Sequence, residues 1–404
     1  MQALHTIYVI IAELFIAELT FPFITVVIAQ LFGREKLVSR YYPERSFDFA
    51  CIVTVCQNAA LVKPLLESLL QQTHRHFIIY LVVDNCPDVD WGIYDERFVL
   101  LKPELPLCLK VKSILYAMDR FRREHEYVVI FDAGNLAHPR FLEEINKYAN
   151  SGYLCIQGQR KAKNPVTTYA ALDSLSEHYR NYTERYVPHL LGCSSVVGDS
   201  GMATETGMYK AYLGSPEVMQ GLTLGKKMLR EDKILQNFLI RKSKKIAYAR
   251  HAILFDEKTD PDANPGTQRN RWLSSYFQNL PNATRLLWLG MIRASFNQVY
   301  FGFVTFAMPM FMLIGMGAIL VLLGVSISPR GSEAVIAAIG IFIFNIFWCL
   351  KLDHAQVPVW KAVRGVPGFV WQQVAGLFRI PDPDQDTPCG GQKKILSIDE
   401  ALEK

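Results

Sequence analysis

The sequence predicts an α/β protein in which a doubly wound, mostly parallel sheet is held at a membrane by apolar helices. In the middle of the chain, short apolar runs alternate with helical patterns, which is typical of a parallel sheet covered on both faces. Long segments with almost no charge stand near both ends. Half of the 404 residues are hydrophobic, a high share for a soluble protein, and membrane segments account for it.

The first apolar segment covers residues 14–33, LFIAELTFPFITVVIAQLFG, with Glu18 as its single charge. Its length is about the twenty residues that a helix needs to cross a bilayer. A cleaved signal peptide is the alternative, but no basic region precedes the run and the run is too long for a signal peptide. We therefore expect residues 1–33 to form an N-terminal transmembrane helix.

The middle of the chain, residues 45–280, is predicted to be one soluble domain. Strands are predicted where β-branched and aromatic residues form short runs, at 49–56 (FACIVTVC), 77–83 (FIIYLVV), 127–131 (YVVIF) and 153–158 (YLCIQG). Helical patterns lie between them, as in 60–72 and 112–126. In an open sheet of this kind, ligands bind at the carboxyl ends of the strands.

The C-terminal part of the chain is again apolar. No charge appears from residue 299 to 328, and residues 334–350 are apolar until Lys351. The flanking segments mix aromatic residues with single basic ones, which suits helices lying in a membrane interface. In chain order, these patterns predict an interfacial helix (281–298), a transmembrane hairpin (299–350), a second interfacial helix (353–380) and a cytosolic tail (381–404).

Charge indicates orientation and partners. Basic residues follow the first apolar segment and the last one: Arg34, Lys36, Arg40, Lys351, Lys361 and Arg364. By the positive-inside rule, the middle of the chain and its C-terminus are expected in the cytosol and the N-terminus outside. The net charge of +5 is modest and spread out, which argues against nucleic acid and favours contact with membrane lipids. The eight cysteines show no C-x-x-C spacing, so reduced thiols are expected rather than zinc or disulfides.

Two predicted strands end in an acid. Asp84 closes YLVVD and Asp132 closes VVIFD, and each is followed by small or turn-forming residues. An acid at one strand end is a weak signal, because Asp commonly opens turns, but two at the same edge of a sheet point to a ligand site. The sequence has neither the G-x-G-x-x-G dinucleotide motif after its first strand nor a P-loop, so a different kind of nucleotide site is needed.

Further motifs follow in LREDKILQNFLIRK and TQRNRW. In order and spacing, the motifs resemble those of the membrane-bound family 2 glycosyltransferases, which include cellulose, chitin and hyaluronan synthases and ceramide glucosyltransferases. The family pattern of an Asp, a D-x-D, an E-D and a Q-x-x-R-W is matched here by Asp84, Asp132, Glu231, Asp232, Gln268, Arg271 and Trp272. The resemblance covers about residues 48–275 and implies a GT-A-type domain that binds a nucleotide sugar.

The resemblance implies a role for each acid. Asp84 would contact the base or ribose of the donor, and Asp132 would face its diphosphate through a divalent cation, because a bare carboxylate would repel phosphates. Asp232, beside Glu231, would be the general base that takes a proton from the acceptor hydroxyl. The alternative for Asp232 is a first-turn acid that stabilises the helix it opens.

The Q-x-x-R-W motif supplies three different side chains. Gln268, Arg271 and Trp272 would share one face of a helix, with the first two binding the donor and the indole stacking on the acceptor sugar. A Trp and an Arg beside a membrane also serve as interfacial anchors, which is the alternative reading.

Two positions depart from the family pattern. Lys110 is expected to bind the donor, but Leu109 stands where the family usually has a Gly before this Lys, which puts the role of Lys110 in doubt. Gly134 replaces the second acid of D-x-D, so metal ligands are expected only from Asp132 and Asn135. We therefore expect Mg²⁺ or Mn²⁺ to bind well only together with the donor.

The sequence thus predicts an inverting enzyme that moves a hexosyl or N-acetylhexosaminyl group from a nucleoside diphosphate, with UDP favoured, to a growing polysaccharide or a lipid-linked acceptor. A single-addition glycolipid synthase similar to ceramide glucosyltransferases is an alternative. A non-catalytic nucleotide-sugar-binding membrane protein and a transporter subunit are others. Three spans are few for a polymer channel, so self-association is expected if the product is a long polymer.

Overall fold

The computed structural model describes residues 2–35, 37–56, 58–163, 167–198, 200–224, 231–257, 265–366 and 397–402. It confirms the predicted α/β class. An eight-stranded mixed sheet forms the centre of the protein.

One half of the sheet is parallel. It consists of β1 (Phe49–Cys56), β2 (Phe77–Asp84), β3 (Phe98–Leu101) and β4 (Tyr127–Asp132). Every residue of β2 is buried, as expected for a strand covered on both faces. The runs predicted at 49–56, 77–83 and 127–131 are therefore confirmed as strands.

The other half of the sheet is mixed in direction. It consists of β5 (Leu136–Ala137), β6 (Cys155–Ala162), β7 (Met202–Glu205) and β8 (Ile246–Asp256). The strand predicted at 153–158 begins two residues later and continues four residues further, as β6. The strands β7 and β5 run antiparallel to their neighbours, whereas β6 and β8 are parallel to each other. The order across the whole sheet is β3-β2-β1-β4-β7-β6-β8-β5.

Helices cover both faces of the sheet, as predicted. Their bounds are α2 (Lys63–Leu70), α3 (Lys110–Met118), α4 (Phe141–Asn150), α5 (Thr168–Arg180), α6 (Val187–Leu190), α7 (Thr206–Leu213), α8 (Pro216–Leu224) and α9 (Glu231–Arg241). Apolar residues of α2 and α4 form one core layer, and those of α3, α7 and α9 form the other. The helix predicted at 112–126 ends early, at Met118.

Among the described residues, two helices are long and apolar enough to cross a membrane, α1 (Gln2–Phe32) and a C-terminal helix, α13 (Pro329–Leu352). Before α13 come α10 (Pro265–Ile292), α11 (Phe296–Phe306) and α12 (Met310–Ile327), and after it α14 (Val357–Ala362). The predicted domain boundary at residue 280 lies inside α10, which continues to Ile292.

The charge-free segment from 299 to 328 is not one helix. It is broken between α11 and α12, and side chains of two other helices bind the backbone groups freed there. The N–H of Met308 donates to Glu18 Oε1 (2.5 Å), and the Tyr276 hydroxyl donates to the carbonyl of Phe306 (3.1 Å). Glu18, the single charge of the first apolar segment, therefore stabilises a helix break.

The segment α5–α6, joined by a π-helical turn (Asn181–Tyr186), lies between the sheet and the apolar helices. Tyr179, Tyr182 and Val187 pack in one cluster with α1, α12 and α13. At the C-terminus, α15 (Ile398–Leu402) packs against β5 and β8, so this end of the expected tail is part of the fold. Residues 367–396 lie outside the described residues.

Candidate active site

The two strand-end acids lie at the same edge of the sheet. Asp84 ends β2 and Asp132 ends β4, and β1 runs between them with Cys56 in register with Asp84 and Thr54 in register with Asp132. The predicted convergence of these two acids is therefore present in the fold, at the carboxyl edge of the parallel strands.

Asp84 binds the loop that leads to α3. Its carboxylate accepts the backbone N–H groups of Leu107 and Cys108, both at 2.8 Å, and only 3% of the residue is exposed. A carboxylate has room for further donors, so this arrangement leaves a contact with a nucleotide available. It also fixes the position at which α3 begins.

The left-handed backbone in this loop is at Cys108, with a φ of 57°. Leu109 is extended, with a φ of −140°, and caps α3. The left-handed conformation in the turn before Lys110 therefore falls on Cys108, one residue before the position at which the family has its Gly. Leu109 is compatible with the turn, which removes the sequence-based objection to Lys110.

Lys110 joins two acids in the cleft. Its Nζ lies 2.6 Å from Asp132 Oδ1 and 3.8 Å from Glu231 Oε1. Burial alone would lower the pKa of the Lys110 ammonium, but Asp132 and Glu231 outweigh burial, and the pKa lies above its ordinary value. The ammonium therefore remains charged and neutralises part of the acidic charge at this edge.

Glu231 and Asp232 differ in accessibility. The side chain of Glu231 is 24% exposed, whereas Asp232 is 2% exposed in the first turn of α9. Burial raises the pKa of Glu231; Lys110 opposes this shift, and Asp232 and Asp132 add to it. The structure thus brings Glu231 to Lys110 and Asp132, and places Asp232 directly behind it.

The turn after Asp132 is held by Asn135. The Asn135 Oδ1 accepts the backbone N–H of Asp132 (2.8 Å), and its Nδ2 donates to Asp256 Oδ1 (3.1 Å). Asp256 in turn forms an ion pair with Arg160. Burial would lower the pKa of the Arg160 guanidinium, but Asp256, Glu177 and Asp132 raise it above its ordinary value.

Arg160 and Asp256 are site residues that the sequence-based assignment did not include. A signal was present for Asp256, because it closes the apolar run AILFD just as Asp84 and Asp132 close theirs. For Arg160, which stands within β6, sequence alone gives no comparable signal.

The segment just before β7 is bound on both sides. Gly198 N–H donates to Gln157 Oε1 (2.8 Å) from β6, and Val197 N–H donates to Gln236 Oε1 (3.2 Å) from α9. The following residue, Asp199, lies outside the described residues. The loop therefore has a fixed base between the sheet and the helix that carries the acidic pair.

The Q-x-x-R-W motif falls near the start of α10. The backbone there is helical, as its spacing predicted. The side chains of Gln268, Arg271 and Trp272 lie outside the described residues, so their roles stay predictions.

The described side chains supply only part of the coordination that a divalent cation needs. Asp132 is one-third exposed, but Asn135 is 1% exposed and directs its oxygen to the backbone. Within the described part of the chain, no group of three or more His, Cys, Asp or Glu side chains is placed to hold a metal ion. A cation here needs oxygens from another molecule, such as a donor diphosphate.

The comparisons agree with this geometry. The sequence model described as "Glycosyltransferase like family 2" matches residues 46–275, more than half of the 404 residues. The chain therefore belongs to this family and is a glycosyltransferase with a GT-A fold. No curated protein matches the sequence significantly.

A solved structure of a mannosyltransferase shows the same fold at low identity. A mannosyltransferase from Pyrobaculum calidifontis, in complex with GDP-Man and Mn²⁺, aligns with a TM-score of 0.54 and 12% identity, over 93% of this chain and 100% of that one. TarS 1–349 from S. aureus aligns with a TM-score of 0.42 and 14% identity, over 74% and 81%. Its complex with UDP aligns with a TM-score of 0.39 and 15% identity, over 59% and 65%.

Proposed function

We propose that the chain transfers a sugar from a nucleoside diphosphate, with UDP the first candidate, to a growing polysaccharide or a lipid-linked acceptor at the cytosolic face of a membrane. The observation that carries this proposal is the contact of Lys110 with Asp132 and Glu231 at the sheet edge that also holds Asp84. Anions and their counter-charges are arranged there as a departing diphosphate requires.

The donor lies across the carboxyl ends of the parallel strands. Asp84 accepts hydrogen bonds from the base or ribose, while Lys110 binds the diphosphate as a point charge. When the donor enters, its phosphates compete with Asp132 for the Lys110 ammonium. The released Asp132 carboxylate then becomes available for a cation.

Asp132 is the side chain that would hold Mg²⁺ or Mn²⁺, with further oxygens supplied by the diphosphate and water. When bound, the cation neutralises charge on the leaving diphosphate. Mg²⁺ suits a site with one carboxylate plus phosphates, because it keeps several waters. Asn135 keeps the turn in place by its bond to the Asp132 N–H, and it serves as a direct ligand only if that bond is exchanged.

The acidic pair supplies the base. Asp232 follows the family order, and Glu231 borders the cleft as a second carboxylate whose raised pKa suits proton transfer. A single displacement at the anomeric carbon gives inversion. Neither residue forms a bond to the sugar.

Gln268 and Arg271 bind the diphosphate, and Trp272 stacks on the acceptor sugar.

Support for a membrane-bound acceptor comes from the rest of α10, the helix that carries this motif, and from α11. An exposed apolar stripe continues along α10 and into α11, formed by Phe277, Trp288, Met291, Ile292 and Phe296. Such a stripe suits a helix pair that lies in a membrane interface and brings the site to it.

A single-addition glycolipid synthase is the second candidate. It is favoured by the membrane helices, because two long helices and the broken α11–α12 segment give one chain little material for a closed polymer channel. A chain that makes long polymer would need to self-associate around a pore.

The test is mass analysis of products made by the purified protein in phospholipid nanodiscs from a panel of UDP- and GDP-sugars, with lipid extracts and oligosaccharides as acceptors. We expect one donor to give a product with inverted anomeric configuration, assigned by NMR. One sugar on a lipid supports the second candidate, and a ladder of masses supports the polymerase. Retention of configuration, or tight donor binding without transfer to any acceptor, contradicts the proposal.

A further inference from the structure

The last apolar helix ends on a buried acid. Asp353, directly after α13, is 3% exposed, and its Oδ2 lies 2.6 Å from His178 Nδ1 of α5. Its Oδ1 accepts from Gln159 Nε2 of β6 (3.3 Å) and lies 3.6 Å from the Arg250 guanidinium of β8. One carboxylate thus connects the end of a membrane helix to three elements of the catalytic domain.

The sheet is irregular at this point. Gly158 is in register with Ala249, but Gln159 is in register with Ile253, so β8 bulges at residues 250–252. Bulges redirect side chains and occur next to active sites. Here the bulge coincides with the contacts to the membrane helix, because Arg250 also donates to the carbonyl of Leu352 (2.8 Å).

The strand segments beyond the bulge support the Asp132 turn. Arg160 follows Gln159 and pairs with Asp256, the last residue of β8. Asp256 accepts from Asn135 Nδ2, and Asn135 Oδ1 accepts the Asp132 N–H. The short strand β5, directly after this turn, pairs with Leu254 and Phe255. The turn therefore rests on the same part of the sheet that Asp353 binds.

We propose that Asp353 is a positioning residue, through which the membrane helix α13 fixes the bulged part of β6 and β8 and thereby the turn that carries Asp132. Only one part of this inference rests on the proposed function, namely the expected effect of Asp353 on sugar transfer. Its structural part, that the order of the turn depends on Asp353, can be measured without substrate.

A matched control exists elsewhere in the fold. Asp48 and the buried His125 form another Asp–His pair, at 2.5 Å, in which Asp48 is partly exposed and also binds Arg123 (2.7 Å). This pair stands at the start of β1, at the end of the sheet opposite the active site. In both pairs the histidine is buried, so loss of either carboxylate leaves a buried His without its acidic partner and both variants should lose stability.

The experiment compares Asp353→Asn with Asp48→Asn in nanodiscs. We expect amide hydrogen exchange of residues 132–137 to become about tenfold faster or more in Asp353→Asn, and to stay unchanged in Asp48→Asn at a similar fall in Tm. Transfer at saturating donor should fall about two- to thirtyfold in the first variant alone, the range of energetic coupling between linked sites. Equal exchange of residues 132–137 in wild type and Asp353→Asn would overturn the proposal.

A second variant guards against simple misfolding. Gln159→Leu removes the contact on the sheet side and leaves Asp353 with His178 and Arg250. We expect exchange of residues 132–137 to rise in this variant too, with less loss of Tm. If the exchange of residues 132–137 becomes faster in Asp353→Asn but not in Gln159→Leu, Asp353 does not act on the turn through its contact with β6. If exchange responds as expected but no sugar donor is ever used, the positioning role stands and the proposed function fails.

Discussion

In the parallel half of the sheet, β3-β2-β1-β4, the strands are apolar runs and two of them end in the acids of the proposed donor site. In the mixed half, β7-β6-β8-β5, polar and charged side chains stand within the strands, as in CIQGQRKA and IAYARHAILFD. The first half places Asp84 and Asp132 at one edge of the sheet, where we propose that the donor binds. The second half holds the Asp132 turn in place through Arg160, Asp256 and Asn135. One half of the sheet therefore carries Asp132, and the other half holds the Asp132 turn in position.

The largest effect is expected from a change of Asp132, which stands at the end of β4 and whose turn is held by the mixed half of the sheet. Asp132→Asn removes the charge that pairs with Lys110 and faces the donor diphosphate, and we expect transfer to fall by about 10²–10³-fold. Initial rates at saturating donor measure it. Asp88→Asn, in the exposed pair of Asp88 with Lys102, is the control and should keep its activity. Full activity of Asp132→Asn would remove the parallel half from the mechanism.

The next effect separates the two acids of α9. Asp232→Asn should leave donor binding nearly intact and lower transfer about a hundredfold or more, because it removes a base and not a diphosphate contact. The matched variant is Glu231→Gln, expected to weaken transfer less. Single-turnover rates and donor titrations on both variants decide the assignment. Normal transfer by Asp232→Asn with loss in Glu231→Gln would move the base to Glu231.

The pH profile tests the charge cluster. Burial raises the pKa of Glu231, and the nearby Lys110 ammonium opposes this rise. The ionised Glu231 carboxylate holds Lys110 in the cleft beside the base Asp232, so transfer should fall as the pH drops through this raised pKa. In Lys110→Met the pKa should rise further, so the acid limb of kcat/KM should move to higher pH. Lys112→Met, at an exposed position of α3, is the control. An acid limb that does not move in Lys110→Met contradicts the coupling.

The smallest effect concerns the position beside Asp132 and Asn135 where the family has its second acid. Among the described residues, Gly134 is not one of the glycines with positive φ, so its backbone does not require a Gly. Gly134→Asp should therefore tighten metal binding to the protein without donor, by about tenfold for one added carboxylate ligand. Calorimetry of Mn²⁺ binding measures it, with Gly134→Asn as the uncharged comparison. Unchanged affinity would show that a side chain at this position does not reach the cation.

The same division explains what the sequence predicted. Continuous apolar runs predicted β1, β2 and β4. The acids Asp84 and Asp132, at the ends of β2 and β4, indicated the edge of the sheet at which we propose the site. In the mixed half, β7 is only four residues long, and the polar residues of β6 and β8 obscure the strand pattern. Those polar residues are buried by contacts that local patterns do not encode, such as Gln159 with Asp353 across 194 residues of chain.

Site residues divide in a similar way. Order and spacing of motifs were enough to select Lys110, Asp132 and Glu231, and the structure brings these three together. The support given by Asn135 could not be predicted, because it depends on Asp256, which lies 121 residues further along the chain. The sequence suggested a metal ligand at Asn135; its side-chain oxygen accepts the Asp132 N–H, and a metal role for it stays a prediction.

The most direct test of the account is calorimetric titration of UDP and GDP into the protein with and without Mg²⁺, in wild type, Asp84→Asn and Asp132→Asn. We expect the nucleotide to bind wild type much more tightly with Mg²⁺ than without it, and Mg²⁺ to bind only when the nucleotide is present. Asp132→Asn should lose the metal dependence, and Asp84→Asn should weaken nucleotide binding with or without metal. Nucleotide binding that both variants leave unchanged, or tight Mg²⁺ binding to the free protein, would contradict a donor site at this edge of the sheet.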